Sequence, residues 1–255
     1  MDLVEAGSAP GACRHPWETA RLAAIRGILR DALGATPLKA LDVGCGDGFV
    51  SASLFAGGQA TSLTCIDVYF TPEQMDEANR NSRGAAFVND YAAIEGQKFD
   101  LVLMLDVVEH EKDDTALLKK VAGSHMDDNG KILLTAPAFH GLMSSHDEML
   151  RHHRRYSLTE LEALAGRAGL KVARSGYLFG LLLLPRLVSV VFQKLFNRPP
   201  AKITGVGGWE HGYAVTKSLE YLMRMDNAIL LAINKMSGIK LPGLSAWALC
   251  VKERP

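Results

Sequence analysis

Three glycines at alternate positions, Gly44, Gly46 and Gly48, follow a short apolar run in the segment 40–48. A helical pattern opens directly after them, so the chain is predicted to pass here from a strand through a tight turn into a helix. Glycine allows the left-handed backbone and the close approach of main chain to ligand that such a turn uses. Phe49 stands where the dinucleotide-binding pattern Gly-x-Gly-x-x-Gly has its last glycine. The turn is therefore predicted to bind a ligand other than a typical dinucleotide, and a tight turn without a ligand is the alternative.

Up to about residue 176 the chain alternates short apolar runs with helical patterns, which predicts a parallel sheet covered by helices on both faces. Capping boxes predict helix starts at Thr71 and Ser157, and an opening helix is predicted over 17–33. The predicted strands are 39–43, 62–67, 85–88, 99–105, 131–135, 170–175 and 245–253. The fold class is α/β.

An apolar insertion interrupts this pattern before the last strand. We predict a first domain over 1–176, a helical apolar insertion or lid over 177–243, and the closing strand of the same sheet over 244–255. Arg186 lies in the middle of the apolar run 177–196, which argues against a membrane-spanning helix. Packing within the protein, a homodimer interface and peripheral contact with a membrane surface all stay open. The second helical pattern places five apolar residues in register: Leu222, Met225, Ile229, Ile233 and Met236.

Charge and cysteine usage exclude some functions. Twenty-eight basic residues balance twenty-eight acidic ones, so the chain has no positive field to attract nucleic acid. The four cysteines form no Cys-x-x-Cys pair and are predicted to be free thiols in a reducing compartment. The N-terminal residues show no secretory signal, and we expect a cytoplasmic protein, with or without peripheral membrane contact.

Polar residues follow several of the predicted strands. Asp67 follows the second strand, 21 residues after Gly46, where a carboxylate is suited to the hydroxyls of a ribose. Asp90 and Tyr91 follow the third strand, and Asp106 follows the fourth. Because open α/β sheets bind ligands at the carboxyl ends of their strands, these side chains are predicted to meet at one site.

The combination of LDVGCGDG, Asp67, NDY over 89–91 and LDVVEH over 105–110 resembles the class I S-adenosylmethionine-dependent methyltransferases. It is most similar to the broad group that includes the ubiquinone- and menaquinone-biosynthesis type and the type 11 and 12 domains. The resemblance covers about 17–176 and the last strand. It implies a Rossmann-like doubly wound sheet, mostly parallel with an antiparallel last strand, and S-adenosylmethionine as cofactor. The cofactor-binding residues that it implies are Asp42, Gly44, Cys45 and Gly46 around the methionine part, Asp67 at the ribose, Val68 and Tyr91 flanking the adenine, Asp90 at its amino group, and Asp106 near the sulfonium.

The loop after the fifth strand is the predicted acceptor site. Its residues 140–156 hold four His, three Arg and two acidic side chains. Our hypothesis is that His146 or His152 is a general base for a hydroxyl acceptor, oriented by Asp147. Other predicted acceptor contacts are His110, His140, Arg155, Tyr156 and Trp209.

A solvated loop is the alternative for the residues of this segment. The spacing of the His and Asp residues in this segment fits no zinc pattern, so no metal is predicted. The residues considered are His140, His146, Asp147, His152 and His153. Arg151 is bulkier than the resemblance leads us to expect at that position.

The resulting interpretation is methyl transfer from S-adenosylmethionine to a small-molecule or lipid-like acceptor, with oxygen as the predicted accepting atom. A nucleotide-dependent oxidoreductase and a non-catalytic cofactor-binding partner protein are the alternatives. The Gly-x-Gly-x-Gly spacing argues against the first. The balanced charge and the absence of an Asn-Pro-Pro-Tyr-type tetrapeptide after the fourth strand argue against nucleic-acid methylation.

Overall fold

A seven-stranded sheet with the strand order β3-β2-β1-β4-β5-β7-β6 organises the computed structural model, which describes residues 14–30, 32–33, 38–58, 60–82, 84–196, 209 and 211–253. Strand β7 runs antiparallel to both β5 and β6, and the other neighbouring strands are parallel. This confirms the predicted fold class. The strands are β1 (Leu38–Val43), β2 (Ala60–Ile66), β3 (Ala85–Val88), β4 (Phe99–Leu105), β5 (Met126–Pro137), β6 (Leu170–Leu178) and β7 (Ser245–Lys252).

Helices cover both faces of the sheet. Thr71 and Ser157 form the predicted capping boxes at the starts of α3 and α6. The opening helix α1 ends at Arg30, whereas the sequence predicts an end at residue 33. A turn follows, in which Ala32 N and Leu33 N both donate to Leu29 O. The helices are α1 (Pro16–Arg30), α2 (Phe49–Phe55), α3 (Pro72–Asn81), α4 (Asp114–His125), α5 (Ser145–Met149), α6 (Leu158–Arg167), α7 (Leu183–Phe196) and α8 (Tyr213–Ser237).

Strand β6 continues further than the sequence predicts. Its last residues, Tyr177 and Leu178, pair with Ala246 and Ser245 of β7. They therefore belong to the sheet, although the predicted insertion begins at 177. Within the described residues the insertion consists of α7, α8 and their connections, and 197–208 lie outside that part of the chain.

Separate cores fill the two sides of the sheet. On β4, Val102 and Met104 point into one core, and Leu101 and Leu103 point into the other. Burial on both faces explains why this strand reads as a continuous apolar run. Cys45, Cys65 and Cys250 are free, as predicted, and all three are buried, whereas Cys13 lies outside the described residues.

Among the residues that the structure describes, no helix has the length and apolar character needed to cross a bilayer.

Gly48 allows a direct test of the glycine turn. Its φ is +69°, and a Cβ at this position would lie 2.6 Å from Cζ of Phe87. We expect Gly48→Ala to lower the free energy of unfolding by roughly 2–4 kcal/mol, because left-handed strain and overpacking add. Urea denaturation measures the change. The matched control is Gly57→Ala, where no heavy atom lies within 4 Å of the new Cβ. Equal losses in the two variants would contradict this account of the turn.

Candidate active site

The glycine turn after β1 is held against the end of β2 by hydrogen bonds. Gly44, Gly46 and Gly48 have φ values of 66°, 55° and 69°, which is the left-handed region predicted for them. Gly44 N donates to Ile66 O at 2.8 Å, and Gly46 N donates to Asp67 Oδ2 at 3.1 Å. A Cβ on Gly44 would lie 2.7 Å from Cγ2 of Val107. The turn therefore brings bare main chain to the sheet edge, as a ligand cradle requires.

Asp42 is the buried carboxylate of this cradle. Burial raises the pKa of Asp42 to about 6, and neighbouring Asp67 acts in the same direction, while Ser51 and Arg21 oppose the rise. A positively charged ligand beside such a buried carboxyl group would stabilise its ionised form.

Arg21 links the ends of β4 and β5. Its Nη2 lies 2.8 Å from Asp106 Oδ2 and donates to Thr135 Oγ1 at 2.9 Å. Thr135 in turn donates to Asp106 Oδ1 at 2.8 Å. Burial acts to raise the pKa of Asp106, but Arg21 and Thr135 outweigh it, and the pKa is lowered. Asp106 is therefore ionised at neutral pH, and its φ of 57° is a strained value for a residue other than glycine.

The start of α1 lies over the glycine turn. Arg14 forms ion pairs with Asp47 and Glu18, and its guanidinium lies 4.1 Å from the centre of the Phe49 ring. Trp209 packs against His15 at a centroid distance of 4.7 Å. It is thus placed beside α1, and its predicted contact with an acceptor stays a prediction.

The predicted adenine contacts lie at the rim formed by β2 and β3. Val68 is exposed, and Asp90 Oδ1 accepts from Ala92 N at 3.0 Å. Tyr91 stacks on His125 at 5.7 Å, so one face of its ring is covered by the protein. The thiol of Cys45 is buried in the core, which leaves its backbone as the part that can face a ligand. The predicted roles of these residues stay predictions.

The carboxylate of Asp147 is fully buried and joins four groups. It accepts from Arg155 Nε at 2.7 Å, from Arg186 Nη2 at 3.2 Å and from Ser144 N at 3.0 Å. His152 Nδ1 lies 3.1 Å from Asp147 Oδ1. Burial acts to raise the pKa of Asp147, but the hydrogen bond of His152 and the charge of Arg155 outweigh it and hold the pKa well below its ordinary value. The carboxylate therefore orients the ring of His152, one of the two candidate bases.

The structure contradicts two predicted acceptor contacts. Arg155 is buried, and besides Asp147 its Nη1 donates to Ala138 O at 3.1 Å. Tyr156 is buried as well, and its hydroxyl donates to Asp114 Oδ2 at 2.8 Å. Both hold the loop in place because internal partners already use their polar groups. His140 is exposed and pairs with Glu160 at 3.0 Å, so it lies on the outer surface of the loop.

Glu109 is a residue that the sequence interpretation missed. It is fully buried, and neither carboxylate oxygen has a hydrogen-bond partner. Burial, with Asp106 adding to it, raises its pKa well above the ordinary value. Donor atoms of Glu109, His110 and His152 lie within 4.8 Å of one another, a set that could hold a divalent cation. The prediction of no metal rested on the spacing of the later histidines and did not consider Glu109, although its place three residues after Asp106 was a signal.

The substitution Asp147→Asn tests the buried charge. We expect it to lower the free energy of unfolding by about 3–5 kcal/mol at pH 7, because the buried Arg155 and the half-buried Arg186 lose their counter-charge. Since the native pKa of Asp147 is lowered, its stabilisation is present above the unfolded pKa and is lost as the pH falls toward the native value. Urea denaturation at neutral and acid pH measures both effects. Glu148→Gln, at the exposed neighbouring position, is the control and should change little.

Comparison with known proteins agrees with this geometry. A family described as "Methyltransferase domain" matches residues 17–175, more than half of the chain. Curated relatives include the ubiquinone biosynthesis O-methyltransferase of Azorhizobium caulinodans, 30% identical over 134 residues that cover 48% of this chain and 52% of that protein. The mitochondrial ubiquinone biosynthesis O-methyltransferase of Arabidopsis thaliana is 29% identical over 134 residues, 48% of this chain and 42% of that protein. The chain thus spans about half the length of these relatives or less.

Solved structures show the same fold over nearly the whole chain. Coclaurine N-methyltransferase superposes with a TM-score of 0.56 at 15% identity, covering 98% of this chain and 78% of that one. The plantazolicin methyltransferase BpumL gives a TM-score of 0.55 at 17% identity, covering 94% and 85%. The family match excludes the alternative of a nucleotide-dependent oxidoreductase, and the glycine cradle with its acidic side chains fits the family's cofactor, S-adenosylmethionine. The chain belongs to the class I S-adenosylmethionine-dependent methyltransferases.

Proposed function

We propose that this protein transfers a methyl group to a hydroxyl oxygen of a small-molecule or lipid-like acceptor. One observation carries the proposal: His152 lies 3.1 Å from the buried carboxylate of Asp147, at the edge of the sheet where Asp106 follows β4. The ring of His152 packs edge-on against His110, in the turn that follows Asp106, at a centroid distance of 4.6 Å. An imidazole paired with a carboxylate is the arrangement that removal of a hydroxyl proton needs.

The cofactor, when bound, supplies a methyl group on a positively charged sulfur that is open to in-line displacement. The chain's own part is to hold this charge and to orient the acceptor. The carboxylates of Asp42, Asp67 and Asp106 bring negative charge to the cradle, and Arg21 keeps Asp106 in place. Orientation of the two reactants can supply several kcal/mol of the barrier reduction, on the order of 7–11 kcal/mol at most.

His152 is the residue that we assign to the proton. Because a carboxylate only accepts hydrogen bonds, the contact with Asp147 places the proton of His152 on Nδ1 and leaves Nε2 as the acceptor. Asp147 then orients the ring and stabilises the imidazolium that forms when Nε2 takes a proton. Burial, followed by the charge of Arg186, lowers the pKa of His146, while the charge of Asp147 acts in the opposite direction.

The choice of oxygen is supported by the curated relatives, which are named O-methyltransferases of ubiquinone biosynthesis. An acceptor with apolar character is supported by the insertion, because Leu181 and Leu184 are exposed close to Arg186 in the chain, and Arg186 contacts Asp147. A cofactor-binding protein without turnover is the alternative that only an activity measurement excludes.

Substitution of His152 tests the proposal. Methyl transfer from radiolabelled S-adenosylmethionine to phenols with and without an alkyl chain is measured at saturating cofactor. We expect His152→Gln to lower kcat by roughly 10²–10⁴-fold, because the hydroxyl loses its base, with little change in cofactor affinity. Transfer to the alkylated phenols should exceed transfer to the short ones.

Two neighbouring histidines provide controls for this experiment. His153→Gln changes an exposed ring in the next position and should keep the wild-type rate. His146→Gln separates the two candidate bases. If His146→Gln abolished transfer and His152→Gln did not, the base assignment would be wrong. Wild-type protein that binds the cofactor but methylates no hydroxyl compound would refute the proposed reaction.

Asp42 should make cofactor binding depend on pH. Because its pKa is about 6, it is ionised at pH 7.5 and largely neutral at pH 5. We expect the affinity for S-adenosylmethionine to fall by up to roughly ten-fold between pH 7.5 and pH 5, since the ionised form of Asp42, which contacts the cationic cofactor, is lost over this range. Calorimetric titration from pH 5 to 7.5 measures this. Asp42→Asn should bind weakly at all these pH values, and an equally steep profile in that variant would assign the effect to another group.

A further inference from the structure

Helix α7 turns its polar side toward the protein. Arg186, Val190 and Lys194 are spaced four residues apart and form its inner row. Arg186 Nη2 donates to Ser144 Oγ at 2.7 Å, and Lys194 Nζ donates to Gly141 O at 3.3 Å. Val190 between them is buried. The helix is therefore attached to the body largely through its two basic side chains.

The opposite side of α7 is apolar and faces solvent. Leu184 is 67% exposed, Phe192 58% and Leu195 73%. A surface helix of a water-soluble protein has the reverse arrangement, with its apolar stripe toward the core. The other exposed apolar residues of this helix are Leu187, Val188, Val191 and Phe196.

Helix α8 shows this inverted arrangement in part. Three of its five buried residues are polar, and the set is Thr216, Glu220, Met223, Asn227 and Leu230. The Asn227 Oδ1 accepts from Phe179 N at 2.7 Å, and Asn234 Nδ2 donates to Ser175 O at 3.0 Å. These polar groups face inward because they satisfy the backbone of β6 and of the turn that follows it. Apolar residues that the sequence placed in one register therefore face outward: Leu222, Met225, Ile229 and Met236.

The same part of the chain carries a surplus of positive charge. Residues 181–241 contain eight Lys and Arg but three Asp and Glu, whereas the whole chain has no net charge. Helix α7 has no acidic residue. Exposed apolar side chains together with basic residues match a bilayer surface with anionic headgroups. Two copies of this face would bring like charges together, which disfavours a second copy as its partner.

We propose that the outward faces of α7 and α8 dock the protein on an anionic lipid surface. Apolar side chains of both helices enter the boundary between headgroups and acyl chains, and the exposed basic side chains of α8 meet the lipid phosphates: Lys217, Arg224 and Lys235. This inference rests on the orientation of the two helices and does not depend on the proposed methyl transfer. A lipid surface beside the loop of His152 would also bring apolar acceptors to the site.

Vesicle flotation with the full chain, without cofactor or acceptor, tests the inference. We expect the protein to float with vesicles of phosphatidylcholine and phosphatidylglycerol at low salt, and much less with phosphatidylcholine alone. High salt should weaken the binding without abolishing it, because the apolar contribution is not screened. Protein that stays in solution with the anionic vesicles at low salt would overturn the inference.

Polar substitutions on the exposed faces provide the second arm. Leu184→Ser with Phe192→Ser on α7, and Ile229→Ser with Met236→Ser on α8, should each weaken vesicle binding by about ten-fold or more. Their melting temperatures should equal that of the wild type, because the altered side chains are exposed. Tyr69→Ser, an equally exposed aromatic outside both helices, should bind vesicles as the wild type does.

The oligomeric state distinguishes lipid docking from dimerisation through the same faces. Light scattering of the wild type and of the same variants should show a monomer throughout. A wild-type dimer that the α7 and α8 substitutions dissociate would assign the faces to a second copy and overturn lipid docking. Because no step of this experiment involves methyl transfer, its failure would leave the proposed function in place, and failure of methyl transfer would leave lipid docking in place.

Discussion

The buried charge of Asp147 is the constraint on which the loop, the insertion and the candidate base all depend. A carboxylate sealed from water is tolerated only when cations and hydrogen-bond donors surround it. Arg155 comes from the loop after β5, Arg186 comes from α7, and His152 comes from the same loop as Arg155. If any of these three side chains moved away, the buried carboxylate of Asp147 would lose a partner. The position of the His152 imidazole and the position of α7 are therefore determined together.

The inverted orientation of α7 follows from this charge. Once Arg186 reaches inward to Asp147, the residues on the other side of the helix must face outward. Those residues are leucine, valine and phenylalanine, which water solvates poorly. A surface that covers them would stabilise α7 in the place where Arg186 contacts Asp147. The proposed docking of the helix and the orientation of His152 would therefore both depend on the carboxylate of Asp147.

Much of the fold could be predicted from the sequence because its signals are local. Apolar runs, the capping boxes at Thr71 and Ser157, and the glycine turn each depend on a few adjacent residues. The polar ends of β2 and β4 could be predicted as well, since parallel strands align their carboxyl ends. The roles of Arg155 and Tyr156 could not, because their partners are set by tertiary packing. For α8, the helical period showed which residues share a face but not whether that face packs against the protein. Arg21 lies in no recognisable motif, and its ion pair with Asp106 depends on tertiary packing.

The cradle itself is electrostatically incomplete, and this favours the family's cofactor. Asp42, Asp67 and Asp106 bring three carboxyl groups to one sheet edge, and Arg21 is the cation that pairs with Asp106 there. Burial raises the pKa of Asp42 to about 6, which shows that the ionised form of this carboxyl group is costly to keep out of water. Asp106 also keeps a left-handed backbone at a cost on the order of 1–3 kcal/mol. A ligand that carries positive charge relieves the repulsion, whereas a pyrophosphate would increase it. The same carboxylates therefore select a cationic cofactor over a dinucleotide, which agrees with the departure of Phe49 from the dinucleotide pattern.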